Sequence, residues 1–163
     1  MTGPPPAPVL VSPADPDAPD ARELIAELDA ALLVVAGRTG EASFSAADVR
    51  APRALFVLAR DAAGAALGCG AIRPLHGGVA EVKRMYARPG TQGVGGAVLA
   101  HLERAAAAFG YTELWLETGD VNTRAIDFYR RHGYQPIPNF GRYAGRSESV
   151  CFGKRIAAAA TAG

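Results

Sequence analysis

The chain has 163 residues, of which 49% are hydrophobic, and a formal net charge of +1 at neutral pH. This predicts one globular domain with its own core, which excludes a disordered chain, and the near-neutral charge argues against a general nucleic-acid-binding surface. Cys69 and Cys151 lie far apart, and His76, His101 and His132 are scattered, so no zinc or redox spacing is present. We therefore expect two reduced, buried thiols and no bound metal.

The two ends of the chain differ in composition from the rest. Residues 1–7 are rich in proline and predict a disordered lead-in, whereas residues 157–163 predict a flexible tail after a domain at 8–156. The start lacks a basic segment followed by a sustained apolar run, and the longest apolar run, residues 30–36, is too short to cross a bilayer. The sequence therefore favours a cytoplasmic protein.

A strand and a helix are predicted at the start of the domain. An extended run near residues 8–12 comes first, and the aspartates that follow suit the N-terminal end of a helix, where the helix dipole favours negative charge. An apolar stripe at helical spacing is formed by Leu24, Leu28, Ala31 and Val35. Gly37 is expected to end this helix, and residues 38–52 predict at most one further helical turn before Pro52.

The pattern then changes to that of strands. Residues 54–74 indicate two strands joined by a turn at 61–64, and a third strand, "GGVAEVKRMYA", follows a turn at 76–78. Three consecutive strands with tight connections predict an antiparallel meander.

Helical spacing returns in the second half of the domain. One predicted helix face consists of Leu99, Leu102, Ala106 and Phe109, and Gly110 ends the helix. A short strand "TELWLET", a short helix "VNTRAIDFYRRHG" and a final strand "SESVCFGKRI", with one further strand possible before it, complete the chain. This order predicts an α/β fold with a mixed central sheet flanked by helices.

The stretch "RPGTQGVGGAVL", residues 88–99, connects a strand to a helix through four glycines. Such a loop is typical of an anion site, because converging backbone N–H groups and the helix dipole both favour negative charge. A Walker loop is excluded, since Val98 and Leu99 stand where lysine and serine or threonine are needed. A Rossmann loop requires a parallel sheet, which the meander contradicts, and a plain flexible turn remains as the alternative.

The run "EVKRMYARPGTQGVGGAVLAHLERAAAAFGYTELWLETGDVNTRAIDFYRRHGY" resembles the core of the GCN5-related N-acetyltransferase (GNAT) superfamily. The resemblance covers residues 54–155 and rests on the meander, the glycine loop and two Gly-Tyr pairs. It implies the GNAT fold, with acetyl-CoA as acetyl donor and a primary amine as acceptor. Transfer would proceed by direct attack in a ternary complex, without metal. Many members of the superfamily form homodimers, which the resemblance therefore suggests.

The resemblance also implies a cofactor site. The family's loop pattern fits either Gln92, Gly95 and Ala97 or, in a second register, Gly90, Gly93 and Gly95. The pyrophosphate of acetyl-CoA would be bound by the backbone amides of Gln92, Gly93, Val94, Gly95, Gly96 and Ala97.

The strand before the loop would bind the pantetheine arm of the cofactor. The resemblance places this contact at the backbone of Met85 and Tyr86, where neighbouring parallel strands separate. The N–H and C=O groups left unpaired there can be satisfied by an extended cofactor arm, as if by an added strand.

Two residues of the last helix are candidates for the cofactor side of the reaction. Asn122 and Tyr129 share one helix face with Ile126. The resemblance implies that Tyr129 protonates the departing CoA sulfur, with an ordinary core tyrosine as the alternative. It implies that Asn122 contacts the pantetheine, and helix capping explains an asparagine there equally well.

Two carboxylates are candidates for the general base. Glu81 is preferred, because it belongs to a strand in the middle of the sheet, where an unpaired charge is unfavourable unless it serves a function. The alternative is a salt bridge with Lys83 or Arg84. Glu117 is the rival, and it could equally be a structural partner of an arginine or of a backbone amide.

The acceptor is not identified by the sequence. Arg142 and Tyr143, before the last strand, could shape the acceptor pocket or be solvated loop residues. The modest charge of the chain favours a small metabolite as acceptor. A non-catalytic module that binds acyl-CoA on the same fold is the competing hypothesis.

Overall fold

The computed structural model describes residues 8–39 and 44–157. The expected lead-in at 1–7 and all but the first residue of the expected tail lie outside the described residues. The strands are β1 (Leu10–Pro13), β2 (Leu55–Arg60), β3 (Ala66–His76), β4 (Val79–Ala87), β5 (Glu113–Gly119), β6 (Gln135–Ile137) and β7 (Ser149–Arg155). The helices are α1 (Pro19–Ala36), α2 (Val94–Ala108) and α3 (Thr123–Arg131), with short 3₁₀ helices at Ala46–Val49 and Gly141–Tyr143.

The strands form one mixed sheet in the order β1-β2-β3-β4-β5-β7-β6. Strands β1 to β4 pair in antiparallel fashion, β4 and β5 are parallel, and β7 is antiparallel to both β5 and β6. The sheet confirms the predicted meander and the mixed α/β architecture. Strand β4 lies in the middle of the seven strands, as expected from its position in the sequence.

The helices cover both faces of the sheet. Helix α1 packs Ala21 and Leu24 on one face, in a cluster with Phe56, Leu58 and Cys69. Helices α2 and α3 cover the other face, where the largest cluster contains Val57, Ile72, Val98, Leu99, Leu102, Leu114, Leu116 and Tyr129. Gly37 ends α1 in the left-handed conformation, as predicted. Cys69 and Cys151 are free and buried, as expected.

The second half of α1 differs from the prediction. Ala31 and Val35 are exposed, although the apolar spacing placed them on the core face. The reason is that this part of the helix no longer lies over the packed sheet, and instead Leu32 and Ala36 line a cleft. Phe109, predicted on the apolar face of α2, is likewise exposed, because it lies just beyond the last helical residue.

The parallel strands β4 and β5 separate after a short region of pairing. Their pairing runs only from Val79 and Glu113 to Glu81 and Trp115, and both strands then continue without a shared ladder. Strand β4 is also irregular toward β3, where Arg84 has a positive φ of 58°. The sheet therefore contains an opening at its centre. Within the described residues, no helix is both long and apolar enough to span a membrane.

Candidate active site

A cleft of about 320 Å³ lies where β4 and β5 separate. Its floor comes from the diverging strands, with Val82, Lys83, Arg84 and Met85 on one side and Glu117, Thr118 and Gly119 on the other. Its walls come from α1 and the residues after it, from α3, and from the segment between β6 and β7.

The cleft joins the two faces of the sheet. Along β5, Leu114 and Leu116 belong to the core on the α2 side, so Trp115 and Glu117 point to the α1 side. Along β4, Val82 lies on the α2 side and Lys83 on the α1 side for the same reason. Charged groups of the cleft floor thus face α1, whereas α3 approaches the opening from the opposite face.

The glycine loop supplies unpaired amides at the start of α2. The helix begins at Val94, and Gly93 caps it in the left-handed conformation with φ of 72°. The first four N–H groups of a helix have no intrahelical partner. In α2 these four groups belong to residues 93–96. The amide of Ala97 donates to the carbonyl of Gly93 at 3.0 Å, so the expectation that Ala97 contributes a free amide is wrong.

Two of the glycines allow α2 to approach α3 closely. A Cβ atom added at Gly95 would lie 3.2 Å from the ring of Phe128, and one at Gly96 would lie 3.2 Å from Nε2 of His132. These distances are shorter than ordinary van der Waals contacts. The loop is therefore a packed start of a helix and not simply a flexible turn.

The side of β4 that faces the opening carries unpaired backbone groups. Tyr86 pairs with Cys69 on β3, but on the β5 side no described residue pairs with β4 beyond Glu81. Met85 lines the cleft, whereas the hydroxyl of Tyr86 donates to Glu27 on α1 at 3.1 Å. The backbone at Met85 and Tyr86 is thus on a strand with a free edge next to the cleft.

Tyr129 extends from α3 to the cleft. Its ring packs edge-on against Tyr134 at 5.6 Å, and the residue is 7% exposed. Burial raises the pKa of the Tyr129 phenol above its ordinary value of 10.0. Within the described part of the chain, its hydroxyl makes no hydrogen bond, and the residue lines the cleft. The ring is therefore a core side chain, as the alternative interpretation expects, whereas the hydroxyl group can still donate a hydrogen bond or a proton in the cleft.

Asn122 caps α3. Its side-chain oxygen accepts a hydrogen bond from the amide of Ala125 at 3.2 Å, which confirms the capping alternative. The same residue lines the cleft next to Gly119. Capping therefore fixes Asn122 at the rim of the opening.

Glu81 lies in a buried ion-pair network. It is 1% exposed, and its Oε1 accepts from Nε and Nη2 of Arg73 at 3.1 and 2.9 Å. Its Oε2 accepts from the hydroxyl of Tyr143 at 3.0 Å and lies 3.7 Å from Nζ of Lys83. The salt-bridge alternative is thus present, with Arg73 as the main partner. Arg84, the other expected partner, pairs with Asp29 instead, at 2.7 Å.

Tyr143 is buried beneath the cleft wall. It is 3% exposed, so the expectation of a solvated loop residue is wrong for this side chain. The 3₁₀ helix that contains it packs with Phe140 and Cys151 against Trp115. Its hydroxyl accepts a hydrogen bond from Nζ of Lys83 at 2.8 Å, and burial lowers the pKa of that lysine.

Among the described residues, Glu117 is the carboxylate that lines the cleft. Its Oε2 accepts from Nη2 of Arg38 at 2.8 Å and from the hydroxyl of Ser149 at 2.7 Å, and its side chain is 11% exposed. The expected arginine partner is therefore present. Its Oε1 makes no hydrogen bond within the described residues, so this oxygen can accept a proton or a donor from the cleft.

Sequence reasoning missed several of these residues. Arg73 could have been found, because Arg73 and Glu81 are symmetric about the turn at Gly77 and therefore pair across the hairpin. No sequence signal places Arg38 or Arg146 at the cleft, since both come from irregular segments. Over residues 8–39 and 44–157, no three His, Cys, Asp or Glu side chains form a group that could hold a metal ion.

The profile of the acetyltransferase (GNAT) family matches residues 21–134, which is more than half of the chain. The chain belongs to the GNAT acetyltransferase family. An "IAA acetyltransferase" of Azospirillum brasilense is 39% identical to this GNAT protein over 95 residues, covering 56% of this chain and 61% of the relative. The match thus spans about three fifths of the relative's length.

Solved structures of GNAT proteins share this fold. A structure described as an acyl-CoA N-acyltransferase from Klebsiella pneumoniae is 30% identical to this chain. Its TM-score is 0.77 over 91% of this chain and 97% of that one. A GNAT acetyltransferase of Elizabethkingia anophelis, solved with acetyl-CoA bound, is 16% identical, with a TM-score of 0.66 over 91% and 98% of the two chains. At 16% identity the second likeness shows the fold alone.

Proposed function

We propose that this GNAT protein transfers the acetyl group of acetyl-CoA to the primary amine of a small molecule. The observation that carries the proposal is the cleft itself. A free strand edge and an amide-rich helix start lead to an opening in the sheet, with Tyr129 on one face and Glu117 on the other. This arrangement allows a thioester and an amine to meet from opposite faces, which suits direct attack in a ternary complex.

The cofactor would lie along β4 and the start of α2. Its pyrophosphate would accept hydrogen bonds from the amides of residues 93–96, where the helix dipole adds favourable charge. Its pantetheine arm would pair with the backbone of Met85 and Tyr86 on the free edge. Gln92 precedes the cap and would contribute its own amide to the same loop. Asn122 would position the arm from the other side of the opening.

In the reaction, the amine nitrogen forms a bond to the carbonyl carbon, and the bond from that carbon to sulfur then breaks. Unpaired N–H groups on the free edge of β4 would stabilise the oxyanion that develops between these steps. Tyr129 would donate its proton to the departing thiolate, since a phenol is protonated at neutral pH and burial raises the pKa of this one further.

Glu117 is the base that the geometry supports. Its Oε1 is available at the cleft and could take the ammonium proton directly or through a water. Glu81, preferred from the sequence, is turned toward Arg73 and lies behind Tyr143. We therefore assign Glu81 to charge balance beneath the cleft, and Glu117 to proton removal.

The relatives support acetyl transfer in general terms. The Azospirillum relative is named for an acetyltransferase activity, and a neighbour of the same fold holds acetyl-CoA. The cytoplasmic location and the homodimer remain predictions from the sequence.

The direct experiment measures CoA release from acetyl-CoA with a thiol-reactive dye, across amines, amino acids and short peptides. Cys69 and Cys151 are buried, so the protein's own thiols should contribute little background. A thermal-shift titration with CoA runs beside it. Amine-dependent release together with a shift supports the proposal. A shift without release from any acceptor contradicts amine acetylation and supports the non-catalytic acyl-CoA-binding module.

A further inference from the structure

Arg84 belongs to a strand but has the backbone conformation of a left-handed turn. Its φ is 58°, whereas strands require a strongly negative φ. Glycine adopts this conformation readily, but a Cβ atom disfavours it by roughly five- to thirty-fold in population. Among the described residues other than glycine, only Arg53 shares a positive φ with it. A residue held in such a conformation must be stabilised by its surroundings.

The conformation of Arg84 belongs to a β-bulge. From Lys83 to Tyr86, strand β4 has two intervening residues, whereas the paired stretch of β3 has one, Gly70. Arg84 and Met85 therefore oppose a single residue of the neighbouring strand, which defines a bulge. The bulge lies in the part of β4 that has separated from β5, at the floor of the cleft.

The bulge shifts the side-chain alternation of β4 by one residue. Before it, Val82 faces α2 and Lys83 faces α1, so a regular strand would turn the next odd residue, Met85, toward α1. The structure has the reverse, because Met85 packs on the α2 side and Tyr86 on the α1 side, where its hydroxyl donates to Glu27. Backbone N–H and C=O groups alternate with the same period. The bulge therefore also determines which of these groups face the cleft.

Helix α1 holds the side chain of Arg84. Nη2 of Arg84 donates to Oδ1 of Asp29 at 2.7 Å, and the two side chains are 3% and 14% exposed. The guanidinium also lies 5.7 Å from the ring centroid of Phe44. In a regular strand the residue after Lys83 would point toward α2, so the contact with Asp29 depends on the bulge. Flattening the bulge would separate a buried ion pair, which is strongly unfavourable.

We propose, on the basis of the acetyl transfer proposed above, that Asp29 and Arg84 are a positioning pair for the acetyl-CoA site. The ion pair holds Arg84 in the left-handed conformation. The resulting bulge fixes which backbone groups of Met85 and Tyr86 face the pantetheine arm and the thioester. Neither charged side chain has to touch the cofactor, because both act through the register of the strand.

The test compares Arg84→Ala with Arg84→Gly in the CoA-release assay. Both variants lose the ion pair, but glycine adopts the left-handed conformation freely and alanine does not. We therefore expect kcat/KM for acetyl-CoA to be roughly five- to thirty-fold higher in the glycine variant, the ratio set by this conformational preference. A guanidinium that contacted the cofactor directly would be missed equally in both variants. Equal activities of the two variants would overturn the inference.

Arg53 provides the matched control for the backbone effect. It is also an arginine with a positive φ, of 62°, but it is exposed and lies outside the set of residues that line the cleft. Arg53→Gly should resist urea better than Arg53→Ala for the same conformational reason, while both keep the wild-type kcat/KM. A loss of activity in either Arg53 variant would show that reduced stability alone moves the assay, and would remove the support for a positioning role.

A double-variant cycle tests whether Asp29 acts through Arg84. Asp29→Asn keeps the shape of the side chain and removes its charge, so it should lower kcat/KM while Arg84 is present. In the Arg84→Gly protein the same substitution should have no further effect, because the ion pair is already absent. Additive losses would overturn the pairing. The Asp29→Asn background leaves no unpaired charge, so the alanine and glycine variants are compared there if the single variants fail to fold.

A binding measurement separates this inference from the proposed function. Calorimetry with CoA requires no acceptor and no turnover. If the wild type acetylates no amine, acetyl transfer fails as a proposal, but CoA should still bind more tightly to Arg84→Gly than to Arg84→Ala. Equal CoA affinities of these two variants refute the positioning role, whether or not turnover is observed.

Discussion

Replacement of Tyr129 by phenylalanine isolates the proposed acid step. The substitution removes one hydroxyl group and keeps the ring that packs against Phe128 and Tyr134. Because that hydroxyl makes no hydrogen bond within the described residues, its loss should change the free energy of unfolding by less than about 0.5 kcal/mol. A general acid contributes roughly a hundred-fold or more to the rate, so we expect kcat to fall about 100-fold, equivalent to about 2.7 kcal/mol in the barrier.

The assay is steady-state CoA release at saturating acetyl-CoA, with CoA affinity measured separately by calorimetry. Tyr134→Phe is the matched control, since its hydroxyl donates to Glu103 at 2.9 Å and lies away from the cleft. That variant should lose about 2 kcal/mol of stability with kcat unchanged. If Tyr129→Phe keeps full kcat, or loses activity only through weaker CoA binding, the acid assignment is wrong.

The same hydroxyl makes a prediction about alkaline stability. Burial holds the pKa of Tyr129 above 10.0, so above pH 10 the unfolded chain loses this proton before the folded protein does. A raised pKa contributes stability below pH 10.0 that is lost as the pH rises toward the folded value. The slope is up to about 1.4 kcal/mol per pH unit for one such group. Urea unfolding at pH 9 and 10.8 should therefore show a smaller loss for Tyr129→Phe than for the wild type, and equal losses would contradict the argument.

Three further predictions follow from the contacts around the cleft. Glu117→Gln should reduce kcat/KM at least 100-fold in the release assay, whereas Glu113→Gln, on the same strand and face but outside the cleft, should retain activity. Arg73→Leu leaves the buried Glu81 without its main partner and should cost about 3 kcal/mol in urea unfolding, part of which Glu81→Leu restores in the double variant; equal stability of all three forms would refute the pairing. Gly96→Ala places a methyl group 3.2 Å from Nε2 of His132, the residue after α3, so the KM of acetyl-CoA should rise several-fold, and an unchanged KM would argue against close packing there.

The order of elements was predictable because each segment carries its own local signal. Helical spacing marks α2, alternation marks β5, and glycine turns separate the strands of the meander. Those signals depend on residues near one another in sequence, and they correctly placed Glu81 in a central strand.

The acceptor side of the cleft was predictable only in part. Arg38 and Arg146 reach the site from irregular segments, whose paths are set by tertiary packing and not by periodicity. The apolar stripe of α1 similarly predicts burial at Val35, which is exposed in the structure. The prediction fails because apolar spacing cannot show where the underlying sheet opens. The sequence favours Glu81 as a base only if Arg73 is overlooked, which pairs with it across a hairpin turn.

The separation of β4 and β5 gives this sheet four edges in place of the usual two. Its outer edges are short strands that carry proline, at Pro13 in β1 and Pro136 in β6, and proline blocks further strand addition there. Its inner edges are screened by α1 and α3, so an extended chain from another molecule cannot easily reach them. A ligand that enters this gap completes an interrupted sheet, and we expect it to tie the two halves of the protein into a single cooperative unit.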